Sequence, residues 1–347
     1  MCLANDFSPF HLQEELLSLP VGTYFDSQVV DLNGDGKMDL AVLNDGALYV
    51  LLGDGSGNFS SPTPYNQGGF QTVLAFGDFS GDGFPDAAVA NFPGINVLLN
   101  NGAGGFPTSV FINTGAEPAG LAVADFNLDG NLDLAVSDFQ ANSISILLGD
   151  GNGGFASPII VAAGTSPAGL VVADLDHDGV ADLAAAEYGS MDLRIFKGVG
   201  DGTFQTAGSY PLGGNADNLV KADFNHDHNV DLAVGVFNSN GQIAVFLGDG
   251  NGNFAQSASV PGTDILFNSL AAADIDGNRT PDLVFFEYGT VNVALGNGDG
   301  TFRAVRQVSL PRSQGFNYTL STGDLNGDGR TDIFTAQKTG VLIFNTP

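Results

Sequence analysis

Asp31-Leu32-Asn33-Gly34-Asp35-Gly36-Lys37-Met38-Asp39 carries the reading of this chain, because its pattern returns six more times. Written as Asp-x-[Asn/Asp/Ser]-x-[Asp/Asn]-x-x-x-Asp, it begins at Asp31, Asp78, Asp125, Asp174, Asp223, Asp274 and Asp324, so successive starts lie 47, 47, 49, 49, 51 and 50 residues apart. A fixed period of this length marks a repeat architecture in which each unit is one supersecondary motif. Signals around each loop keep one order: a small-apolar run, the acidic loop, an apolar run, a variable loop, another apolar run, and a glycine turn ending in Phe. In the third repeat these are Leu121 to Ala124, Leu134 to Val136, Ile144 to Leu148, and the turn Gly149-Asp150-Gly151-Asn152-Gly153-Gly154-Phe155. Equivalent turns end at Phe59, Phe106, Phe204, Phe254 and Phe302, where glycine supplies the positive φ of a tight hairpin and Phe is expected to plug the core.

Four strands in about fifty residues is the content of a propeller blade. The expected fold is all-β: a seven-bladed β-propeller of four-stranded antiparallel blades, one domain over residues 1–347, with blades beginning near residues 27, 73, 121, 170, 219, 270 and 320. The last repeat stops after its third strand at Val341 to Phe344, while Asn5-Asp6-Phe7-Ser8-Pro9 is similar to the turn end Gly57-Asn58-Phe59-Ser60-Ser61-Pro62. Residues 7–17 are therefore expected to supply the missing strand and close the ring, leaving few open sheet edges. A length of 347 residues would allow two domains, and the repeats decide for one.

Composition agrees. Gly 49 and Phe 27 against Trp 0 and Met 3 suit short strands and tight turns. A net charge of −29 disfavours nucleic acid and anionic membrane surfaces as partners, yet 43% hydrophobic residues are too many for a solvated acidic tail. The seven loops hold 22 of the 39 acidic residues, so the charge has a place in the fold. Cys2, the single cysteine, cannot form an internal disulfide. The sequence offers neither an apolar run of membrane-spanning length nor the basic and apolar regions of a signal peptide, and reads as a mature form or a piece of a longer chain.

The loops have the chemistry of a hard-cation site. Calcium takes six to eight oxygens at about 2.3 to 2.6 Å, and side chains at positions 1, 3, 5 and 9 with the carbonyl at position 7 supply them. The candidate ligands are Asp31, Asn33, Asp35 and Asp39; Asp78, Ser80, Asp82 and Asp86; Asp125, Asn127, Asp129 and Asp133; Asp174, Asp176, Asp178 and Asp182; Asp223, Asn225, Asp227 and Asp231; Asp274, Asp276, Asn278 and Asp282; Asp324, Asn326, Asp328 and Asp332. No His or Cys stands among them, which argues against softer metals. Up to seven Ca2+ are expected. The sites at Asp223 and Asp274 should be weakest, because His228 and Arg279 replace the glycine of position 6, and Asn278 replaces an acid. His226 and His228 read as solvated loop residues. Seven dications would add fourteen charges to −29 and leave −15.

These motifs resemble the FG-GAP/VCBS repeat family, which includes the integrin α-subunit propeller and some fungal lectins, and the resemblance runs from Phe7 to Phe344. It implies a calcium-binding propeller outside the cell that acts as a lectin-like or adhesion-like binding module. A structural propeller within a larger surface protein and a polysaccharide lyase-like enzyme are the alternatives.

In a propeller the acidic loops and glycine turns share one face. The opposite face carries the turns between second and third strands, and variable loops of this kind usually bind partners. Fourteen residues past each loop start stand Asp45, Phe92, Phe139, Tyr188, Phe237, Tyr288 and Lys338, preceded by polar residues that include Glu187 and Glu287. Phe92, Phe139, Tyr188, Phe237, Tyr288, Glu187 and Glu287 are candidate contacts for a glycan by stacking, or for a cationic group of a protein partner. Rings wedged between blades are the competing reading. No catalytic constellation is found: the histidines are His11, His177, His226 and His228, no nucleophile motif appears, and Lys221 is one lone strand lysine. The expectation is a non-enzyme, monomeric or part of a larger chain.

Overall fold

A computed structural model describes residues 19–20, 22–69, 71–115, 117–238, 241–262, 269–287, 290–309, 319–337 and 340–344. Every regular element among them is a strand. The first blade shows the plan: Tyr24–Val30, Asp39–Asn44, Ala47–Leu51 and Thr63–Asn66 pair in sequence order, each antiparallel to the last. The innermost strands of the next five blades are Gln71–Gly77, Pro118–Ala124, Pro167–Ala173, Asn215–Ala222 and Leu270–Ala273.

Among the described residues the expected count of seven four-stranded blades is corrected to six. The remaining sheet has three strands, Ser321–Gly323, Asp332–Gln337 and Gly340–Phe344. The strand assigned to residues 7–17 lies outside the described residues.

Alternation along each strand places apolar side chains on both faces, and the core forms as layers between neighbouring blades. Leu43, Leu48 and Val50 of the first blade meet Leu74, Val89 and Leu98 of the second. Leu40 and Val42 on the other face meet Phe334, Ala336 and Ile343 of the three-stranded sheet. That sheet also packs Ile333 against the sixth blade's Val293 and Leu295, so it spans from the sixth blade back to the first.

The second strands are the most enclosed elements. Asp39–Asn44, Asp86–Asn91, Asp133–Asp138 and Asp182–Glu187 are buried at every residue.

Polar groups tie neighbouring blades together near their inner strands. The Asp26 carboxylate of the first blade accepts from Leu74 N at 2.8 Å, and in the fifth blade Asn218 Oδ1 accepts from Ser269 N at 3.3 Å. Ser137 Oγ donates to Ala168 O at 2.6 Å. Gly120 and Gly169 admit the neighbouring backbone so closely that an added Cβ would lie 2.3 Å from Ala168 O and 2.2 Å from Asp217 O. Satisfying these buried groups across the seam is what a polar inner ring requires.

Candidate metal loops and the opposite rim

All seven loops fold alike, held by their own side chains. The position 1 carboxylate accepts the N–H of position 6: Gly36, Gly83, Gly130, Gly179, His228, Arg279 and Gly329 bond to Asp31, Asp78, Asp125, Asp174, Asp223, Asp274 and Asp324 at 2.7 to 3.0 Å. Position 6 is left-handed throughout, and non-glycine His228 (φ 69°) and Arg279 (φ 68°) are held there as well. Position 4 is left-handed too, at Leu128, His177 and His226 as well as at glycines. Glycine at Gly34, Gly81, Gly277 and Gly327 is the sequence signal for this second left-handed position.

Asp at position 9 has a second task. Asp39, Asp86, Asp133, Asp182, Asp231 and Asp282 are buried, and each accepts backbone N–H groups through both carboxylate oxygens. In the third blade, Phe126 N at 2.8 Å bonds to Oδ2 and Gly149 N at 2.7 Å bonds to Oδ1. This carboxylate staples the loop to the end of the third strand whether or not it also meets an ion. Burial pushes the Asp231 and Asp282 carboxyls up to about 6, against the pull of those N–H groups, and the loop's other aspartates add to the rise. A dication beside them would favour the charged form.

Three carboxylates converge within 4.8 Å at two loops, Asp174 with Asp176 and Asp182, and Asp274 with Asp276 and Asp282. These are the loops with an acid at position 3; the other five have Asn or Ser there. At the Asp274 loop this holds alongside the Asn278 and Arg279 departures from the pattern. The donor set is all oxygen, which fits calcium and not a softer metal.

The glycine turns lock onto the loops of the preceding blade. Gly153 N, Gly202 N, Gly252 N and Gly300 N bond to the carbonyls of Phe79, Phe126, Leu175 and Phe224 at 2.8 to 3.0 Å. Phe155, Phe204 and Phe302 meet Phe79, Phe126 and Phe224 edge to face at 5.4 to 5.6 Å, so the turn phenylalanines are core plugs. Two loop histidines also reach sideways, correcting the solvated reading in part. His177 Nε2 lies 3.0 Å from Asn229 Oδ1 and His226 Nε2 lies 3.1 Å from Thr280 Oγ1, each in the next loop, while the His228 side chain is 96% exposed.

On the opposite face the rim splits. Phe92 and Phe237 are 56% and 46% exposed. Phe139 and Tyr188 are half-buried and meet across a blade boundary at 5.9 Å, as wedges do. Tyr288 lies outside the described residues. Glu187 is corrected from a rim acid to a buried one: fully enclosed, it accepts Gly164 N at 2.6 Å and pairs with Arg194 at 3.2 Å. Burial, then the neighbouring Asp192, raises its carboxyl to about 7. Glu287 is half-buried at a groove with Pro261, Gly262 and Arg303.

In the axial channel, Lys221 lies beside Gln28, Ala271 and Thr322 and donates to Val172 O. Burial lowers its pKa, and the bond to a backbone carbonyl gives it a structural partner. Among the described residues no helix is long and apolar enough to cross a membrane.

A family model described as FG-GAP-like repeat matches this chain five times, at residues 31–89, 78–136, 127–185, 223–285 and 274–335. No curated protein matches the sequence. Among solved structures, BBS1N in complex with ARL6DN is similar at a TM-score of 0.68 and 16% identity, over 97% of each chain. A lectin from Agrocybe aegerita, described as specifically recognising non-reducing terminal N-acetylglucosamine, is similar at a TM-score of 0.60 and 19% identity, over 92% of this chain and 87% of its own. At these identities the likeness is one of fold.

Proposed function

From the premise that the chain belongs to the FG-GAP-like repeat family, we propose that it is a calcium-stabilised binding module working outside the cell, its partner a glycan or a protein taken up on the face opposite the acidic loops. The observation that carries this reading is the separation of chemistries between two faces. One face repeats an oxygen-only loop seven times, with three carboxylates converging at two of them. The other exposes Phe92 and Phe237 at the second-to-third turns of the second and fifth blades, with Phe139 and Tyr188 on the blades between. Exposed rings on a rigid scaffold suit a sugar's apolar face or a partner's cationic side chain. Proteins of the same fold take both kinds of partner, the Agrocybe aegerita lectin a terminal N-acetylglucosamine and BBS1N the protein ARL6DN.

Position 1, 3, 5 and 9 side chains would hold the ion, and bound calcium would neutralise carboxylates that otherwise repel. Weak sites of this kind fill at millimolar extracellular calcium, which is why secretion belongs to the proposal. With Lys221 bonded to a backbone carbonyl, the reading favours a binder over an enzyme.

A glycan array probed with the protein in calcium and in chelator tests it. Calcium-dependent binding that F92A and F237A abolish, with melting temperature unchanged, is the expected result. Calcium-independent melting together with silence on the array would defeat the proposal.

A further inference from the structure

The fourth blade differs from the other five four-stranded blades in one way that the repeat register exposes. Pairing of the second and third strands sets Leu183 opposite Phe196, and the residue after Phe196 is Lys197. The same slot in the other four-stranded blades holds Leu52, Leu99, Leu148, Leu247 and Leu295. Four of those leucines lie over the next blade's glycine turn, as Leu148 does against Gly202. Lys197 instead turns to its own loop, where its ammonium contacts the Asp176 carboxylate and lies 3.0 Å from Asp178.

The lysine is matched by an acid. Asp174, Asp176, Asp178 and Asp182 make the fourth loop the only one with four carboxylates, the extra one being Asp176 at position 3. Four negative charges with one ammonium leave the same net charge as the three-acid loops. The sixth loop also has an acid at position 3, Asp276, but keeps Leu295 in the slot and Asn278 at position 5, so only the fourth loop joins acids at both positions to a cation.

We propose that Lys197 is a built-in counter-cation of the fourth loop, holding it closed without metal and making calcium enter there only by displacing the ammonium. This rests on the reading of the loops as calcium sites. A divalent ion needs the oxygens of positions 3 and 5, and these are the two that the ammonium engages. The fourth loop is then the last to fill, although its acid count is the highest.

Calcium titration of the metal-free chain by calorimetry tests this, on the wild type, K197L and K197M. Leucine restores the residue of the other blades, and methionine keeps a long unbranched stem should the leucine variant fold poorly. Both variants are expected to gain one equivalent of calcium bound about tenfold more tightly than the weakest wild-type site. In chelator their melting temperature should fall below the wild type's, and calcium should restore it. If the wild type binds calcium and neither variant changes stoichiometry, affinity or melting in chelator, the role of Lys197 is refuted while the calcium reading stands. If no form binds calcium, both fall.

Discussion

Two aspartates, Asp26 buried and Asp217 half-buried, show what the innermost strands ask of a residue. Asp26 accepts from Leu74 N and Ser27 N, and burial raises its carboxyl to about 7. Asp217 is raised to about 7 by burial alone. A carboxyl whose folded pKa lies above its unfolded value of 3.8 binds its proton more tightly when folded. Its contribution is therefore complete below about pH 4 and lost as pH rises through 7. Asn218 already stands at the position of Asp26 in the fifth blade, five residues before the loop, and accepts a backbone N–H from the next innermost strand's approach, Ser269 N, one position earlier than Leu74's counterpart Leu270. D26N should thus melt several degrees higher than wild type at pH 8 in chelator and equal it near pH 4; equal melting at both would show that Asp26 carries no such cost. His228 and Arg279 sit at φ 69° and 68° where five loops have glycine. H228G and R279G should each add about 1 kcal/mol in urea denaturation, and a loss would mean their side chains matter more than their backbone.

The loop with its flanking strands is the element that the sequence describes best. Spacing, glycine and acid chemistry were legible at Asp31 and its relatives because they are local. What escaped was non-local. The double hydrogen bonding of Asp133 depends on Gly149, which lies 16 residues on, and only strand pairing brings the two together. The enclosure of Glu187 beside Arg194 and the slot of Lys197 likewise require knowing the register. D133A removes one carboxylate and strands two buried N–H groups, at about 1–3 kcal/mol each. It should cost more in denaturation than D129A in the exposed arm of the same loop, measured without calcium so that ion binding does not contribute. Comparable losses would show that the carboxylate serves the ion alone.

At the scale of the molecule, the repeat count was readable and the blade count was not. Seven loops exist, yet a blade requires four paired strands, and among the described residues six sheets meet that requirement. If calcium fills several loops at about ten times Kd, each adds about 1.4 kcal/mol by mass action. Together these rival the roughly 5–15 kcal/mol net stability of an ordinary domain. Saturating calcium should therefore raise the melting temperature well beyond ten degrees, and magnesium much less; equal shifts would point to charge screening in place of a fitted site. The three-stranded sheet, packed on one side against the sixth blade and on the other against the first, bears on how the chain comes apart. A linear stack can fray one unit at a time from its ends, but here every repeat has two neighbours, so detaching any one tears two seams. Limited proteolysis should leave intact chains beside small peptides, with no ladder at fifty-residue steps.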